Sequence, residues 1–92
     1  MIYSQPYIKI ERQIIRLEQK QIKRTEFMEL YEDKIVTASK TFKLRDVYDV
    51  SYREMSDEYG FLYLHTNQGV FPYYVESIPD CFMQHYVNMT SM

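Results

Sequence analysis

The sequence predicts a mainly β domain closed by one C-terminal helix, and three features of the pattern say so. Apolar and polar residues alternate with period two from Phe27 to Val75, turn-forming clusters cut that stretch into short runs, and the period becomes helical after Ser77. Ten Tyr and five Phe among 92 residues fit this class, because aromatic rings favour half-buried pleated surfaces.

The first segment is the least defined. Residues 1–7, closed by Pro6, read as a lead that frays. Over residues 7–24 the alternation of Ile8 with Ile10 and of Ile15 with Leu17 favours strands. The Glu, Arg, Gln and Lys content, with Ile10, Ile14 and Leu17 on one helical face, favours a helix. A strand over Gln13–Glu18 is the preferred reading.

The following elements are clearer. Met28 and Leu30 flank Glu29, and Tyr31-Glu32-Asp33-Lys34 forms a turn. Ile35-Val36-Thr37 is β-branched, and Ala38-Ser39-Lys40 breaks it. Phe42 and Leu44, then Tyr48, Val50 and Tyr52, alternate with polar residues. Ser56-Asp57-Glu58 with Gly60 is a turn before the apolar run Phe61–Thr66. Asn67-Gln68-Gly69 connects it to the return strand Val70–Val75, because Asn and Gly tolerate positive φ. Pro72 lacks an N–H, which places that strand at an edge or a bulge. Ser77 and Asp80 have capping-box spacing, Pro79 suits a first turn, and Ile78, Phe82, Tyr86 and Met89 share one face. This predicts a helix over about 78–88 with residues 89–92 frayed. Length and the absence of a linker predict one domain over 1–92.

Leu30-Tyr31-Glu32-Asp33-Lys34-Ile35-Val36, followed by Thr41-Phe42-Lys43-Leu44-Arg45-Asp46-Val47-Tyr48-Asp49-Val50-Ser51-Tyr52, resembles the bacterial pleckstrin-homology-like (PH-like) domains. There a hairpin is followed by a strand ending in a Leu-x-Asp-Ile/Val step into the next sheet, here Leu44-Arg45-Asp46-Val47. The likeness covers about residues 13–89. It implies a roll of two near-orthogonal antiparallel sheets, about seven strands of which four lie in one sheet and three in the other, with the helix plugging a corner. Several such domains assemble with themselves, so a homo-oligomer is an expectation of the resemblance. Lipid-binding relatives carry a basic loop between the first strands. Glu18 and Glu26 bracket Lys20, Lys23 and Arg24 here, and phosphoinositide binding does not carry over.

Net charge is −2, but residues 9–24 carry six basic against two acidic residues, while the remainder carries five against eleven. The basic segment is read first as paired surface charge and second as an anion-binding face, with Lys20, Lys23 and Arg24 as its candidates. Basic residues lie mostly before Thr25 and Tyr residues after it, so the interleaving that grips single-stranded nucleic acid is missing and no nucleic acid is expected. Cys81 and His85 fall on one helical face with His65 elsewhere. Without paired ligand spacing Cys81 is read as a small buried residue, His85 as bordering the core, and no metal or cofactor is expected. Lacking a phosphate loop, a nucleophile elbow and a paired-acid setting, the chain is not expected to be an enzyme. One cysteine and no long apolar run make cytoplasmic residence the expectation, without a transmembrane segment. The expected function is a non-catalytic interaction module, binding protein or itself through the aromatic residues of the last hairpin. Tyr59, Phe61, Tyr73 and Tyr74 are the candidate partner residues. The alternative is a weak anionic-ligand or membrane-surface binder using residues 9–24.

Overall fold

The computed structural model describes residues 1–15 and 17–90, without the side chains of residues 12–15 and of Lys20. The chain is mainly β: seven antiparallel strands and one C-terminal helix. Strands β1 (Tyr3–Ile15) and β2 (Glu18–Leu30) form a long hairpin, followed by β3 (Lys34–Val36) and β4 (Thr41–Lys43). After a single 3-10 turn at Leu44–Asp46 come β5 (Val47–Glu54), β6 (Gly60–Thr66) and β7 (Gly69–Val75), then α1 (Asp80–Thr90).

All seven strands join one ladder in the order β4-β3-β2-β1-β7-β6-β5. A four-stranded half and a three-stranded half meet where β1 pairs with β7, and only Ile8 and Tyr74 are in register there. The Leu44–Val47 step carries the chain from one edge strand, β4, to the other, β5, which closes the roll. Asn67 donates its N–H to the Asp46 carbonyl at 3.1 Å, fastening that step to the β6–β7 turn.

The period-two pattern explains the core. Met28 and Leu30 of β2, Ile35, Phe42, Val50, Leu62, Leu64 and Val75 all point inward and are buried together. The helix closes this layer with Phe82 and Tyr86. Met89 joins on the shared face, but within a helix that runs from Asp80 to Thr90 rather than fraying from residue 89, while Ile78 is 61% exposed and Pro79 is buried instead. The predicted capping box is replaced. Met83 donates its N–H to the Pro79 carbonyl, so Pro79 sits at the helix boundary, and the Asp80 carboxylate accepts from the Cys81 N–H.

The N-terminal region departs most from expectation. Residues 1–7 are not a lead: β1 begins at Tyr3, Ile2 donates to the Leu30 carbonyl, and Gln5 and Tyr7 are buried. The strand expected over Gln13–Glu18 is two strands, because Ile15 and Glu18 face each other in register and the chain reverses between them. Leu17 has φ of 70° and is fully exposed at the tip. Beyond Ile8 the hairpin leaves the rest of the ladder and projects as an arm. The radius of gyration is 14.4 Å, against about 12 Å for a compact chain of this length, and the longest dimension is 54 Å.

The Tyr86 hydroxyl donates to the Val47 carbonyl at 2.9 Å, tying α1 to the first residue of β5. Burial, with a smaller contribution from the Asp49 charge, raises the Tyr86 phenol above its ordinary value of 10.0. Burial likewise raises Tyr73, partly offset by the nearby Thr37 hydroxyl, which favours the ionised phenol. In the unfolded chain both phenols ionise first, so the folded state holds more protons above about pH 10. The contribution of these two phenols to stability is therefore constant below that pH and falls as pH rises through it. Tyr86→Phe is expected to lower stability by about 0.5–1.5 kcal/mol at neutral pH and to reduce the alkaline loss. Urea midpoints from pH 7 to 11 measure both effects, and an unchanged alkaline slope in the variant would locate that loss elsewhere.

Candidate functional site

The outer face of the three-stranded half carries the aromatic residues. In β6 burial alternates strictly, so Leu62 and Leu64 face the core while Phe61, Tyr63 and His65 face outward. Cross-strand register sets Phe61 beside Tyr74 of β7. Tyr59 stacks on Tyr74 with ring centroids 4.8 Å apart and planes within 7°, and Phe61 meets Tyr74 edge-on at 5.9 Å. Of the four residues expected to bind a partner, Tyr59, Phe61 and Tyr74 thus form one half-buried outer cluster. Tyr73 points the other way: it packs against the core, and its ring meets Tyr7 edge-on at 5.1 Å.

The cluster borders a break in the sheet. The β1–β7 ladder stops at Ile8–Tyr74, and the next position along β7 on that face is Pro72. Proline is accommodated in a sheet where its missing N–H leaves no partner wanting. The sequence placed Pro72 at an edge or bulge. It lies instead in a strand that is interior to the ladder, at the point where the strand loses its neighbour. The two strands separate there into an open cleft of about 350 Å³. Ile8, Lys9 and Ile10 of β1 form one wall, and Pro72 and Tyr74 of β7 with Phe61 form the other. Tyr7, Tyr73 and Ser39 lie at its base. Among the described residues none pairs with β1 on the β7 side from Lys9 to Ile15, which leaves an open strand edge along this wall.

The expected anion-binding residues do not form one site. Lys23 and Arg24 are neighbours on β2 and point to opposite faces. The Lys23 Nζ lies 5.9 Å from the Tyr74 ring centre, at the cleft, while Arg24 pairs with Glu11 at 3.4 Å. The Lys20 side chain lies outside the described residues. Glu11 also meets Lys9 at 3.8 Å. All these pairs are exposed, so they add little stability.

Cys81 is exposed on α1 rather than buried, because its position precedes the inward-facing Phe82. His85 is half-buried against the Tyr3 ring at 5.2 Å. Among the described residues no three His, Cys, Asp or Glu side chains gather as metal ligands. One arrangement is invisible in the sequence: Ser51 Oγ and His65 Nε2 are 2.7 Å apart across β5 and β6. A nucleophile–base pair also needs oxyanion donors and a sheltered pocket. The Val50 N–H beside Ser51 is taken by the Asp49 carboxylate, and the pair lies on the open outer face of the sheet. It is a cross-strand hydrogen bond. No helix among the described residues is long and apolar enough to cross a membrane.

Compared with protein-family models, with curated proteins and with solved structures, the chain matches none. The functional reading therefore rests on the cleft.

Proposed function

We propose that this domain is a non-catalytic protein-interaction module on a PH-like scaffold, receiving an extended segment of its partner in the cleft between β1 and β7. The scaffold reading is supported by the element order: four strands, a short step at Leu44–Val47, three strands and a terminal helix. The observation that carries the binding reading is the single-residue joint at Ile8–Tyr74. It leaves an open strand edge directly beside an aromatic wall. Strand addition uses both parts, with main-chain hydrogen bonds for affinity and side-chain pockets for selectivity. Tyr is also suited to such contacts, since a rigid ring buries area while its hydroxyl stays solvated.

Selection of phage-displayed peptides on the folded domain tests this reading. Recovered peptides are expected to lose about tenfold or more in affinity on Ile10→Asp or Tyr74→Ala. Thermal melting of the variants verifies that each remains folded. Peptides that bind both variants as well as the parent would remove the cleft from consideration.

A further inference from the structure

The charge around the cleft specifies what fits it. Lys9 is the one charged residue among those lining it. Lys23 overhangs Tyr74 on the outer side, and Lys40, next to Ser39 at the base, lies 4.2 Å from the Phe71 ring centre. Glu11 already faces two cations, Lys9 and Arg24. Of the other acidic residues, Glu26 stands in register with Tyr7 at the cleft base, and among the described residues no carboxylate lines the cleft itself. Among the described side chains, Lys9, Lys23, Arg24 and Lys40 thus stand around the cleft against Glu11 and Glu26, a surplus of positive charge. Pairing one such arm against the same arm of a second copy would bring like charges together, at a cost.

We infer that the occupant is an acidic extended segment of another protein, with apolar side chains alternating with carboxylates. It pairs with the open edge of β1 from Lys9 onward. Its apolar side chains lie along Ile8, Ile10 and Tyr74, one of them entering the cleft, and its carboxylates, on the opposite face, meet Lys9 and Lys40. The seven open residues of β1, Lys9–Ile15, offer about 23 Å of edge at the usual strand rise. A cleft of about 350 Å³ is at the small end of ligand pockets, and suits a side chain better than a cofactor. This assignment rests on the cleft being a peptide site at all.

Three seven-residue peptides of one apolar pattern, Val-Tyr-Val at the second, fourth and sixth positions, separate the two claims. The remaining positions are all Glu, all Gln or all Lys, and binding is read from amide chemical shifts of the full domain. The Glu peptide is expected to bind about tenfold or more tightly than the Gln peptide, shifting Ile8, Ile10 and Tyr74, and to weaken as salt rises. Lys9→Glu with Lys40→Glu, both at exposed positions, is expected to reverse the preference toward the Lys peptide. Equal binding of all three peptides at these residues would overturn the acidic partner and leave the cleft standing. No shift with any peptide, or shifts at Tyr52, Ile78 and Val87 beside the helix, would overturn both. A light-scattering mass of a dimer that reverts on Ile10→Asp would put a second copy in the cleft and refute the inference.

Discussion

Phe82→Ala is expected to cost about 3–5 kcal/mol, the largest loss of any single truncation considered for this chain. The ring is fully buried at the centre of the helix face that closes the roll. Removing it takes away the transfer free energy of the ring and leaves a void that the surrounding strands cannot fill, because β2 and β6 are fixed in their ladders. A domain of 92 residues has about 5–14 kcal/mol to lose. The substitution therefore leaves little or no folded protein at the low end of that range. The second contact of the helix, Tyr86 with the Val47 carbonyl, is too small to hold α1 alone. Urea denaturation followed by circular dichroism measures the effect, and a thermal midpoint is expected to fall by more than about 12 °C. A variant whose midpoint stays within about 4 °C of the parent would mean that α1 is a peripheral ornament and that the strands close their own core.

Why this helix was legible and the arm was not comes down to local signals. Phe82, Tyr86 and Met89 repeat at helical spacing, and the period changes abruptly after the strands, so the helix is written in one short window. The turn at Asn67–Gly69 was equally local, and Gly69 has the positive φ, 130°, that its place in the turn demands, whereas the step at Leu44–Val47 was expected only from the resemblance to PH-like domains. The arm lacks such marks. Its reversal between Ile15 and Glu18 contains neither Gly nor Asn, and it places Leu17 at a φ of 70° that leucine rarely adopts. Charged residues on both strands of a two-stranded arm also blur the period, since no core enforces it. The site was half legible. Tyr59, Phe61 and Tyr74 sit close in sequence on one hairpin, and cross-strand register gathers them. The other wall, Ile8 and Ile10, comes from 49 to 66 residues away, and the Ile8–Tyr74 joint brings it there. Lys23 reaches the site for the same long-range reason. Nothing local distinguishes exposed Cys81 from buried Phe82 beyond one step of helical phase.

Gly60→Ala is expected to destabilise the domain by about 1–3 kcal/mol, through crowding alone. The sequence reads this glycine as part of a turn, but it is the first residue of β6, paired with Glu54 on one side and Val75 on the other. A Cβ at Gly60 would lie 2.6 Å from the Arg53 carbonyl oxygen and 2.6 Å from the Tyr52 ring. The two obstacles differ in kind. The Tyr52 ring is a side chain that can turn away toward the groove it shares with Ile78 and Met83. The Arg53 oxygen is main chain, held in the β5–β6 ladder beside Phe61, and can move only if that ladder spreads. Tyr52→Ala in the Gly60→Ala background separates them. If the oxygen dominates, removing the ring recovers none of the loss, and the two substitutions add. Recovery of most of the lost stability in the double variant would assign the glycine to the ring instead. Its place would then be to seat Tyr52 over β6, rather than to let two strands approach. The strand-end position makes the first outcome the expected one, because opening the ladder at Glu54–Gly60 would also disturb Tyr59 and the stack it makes on Tyr74 at the edge of the cleft.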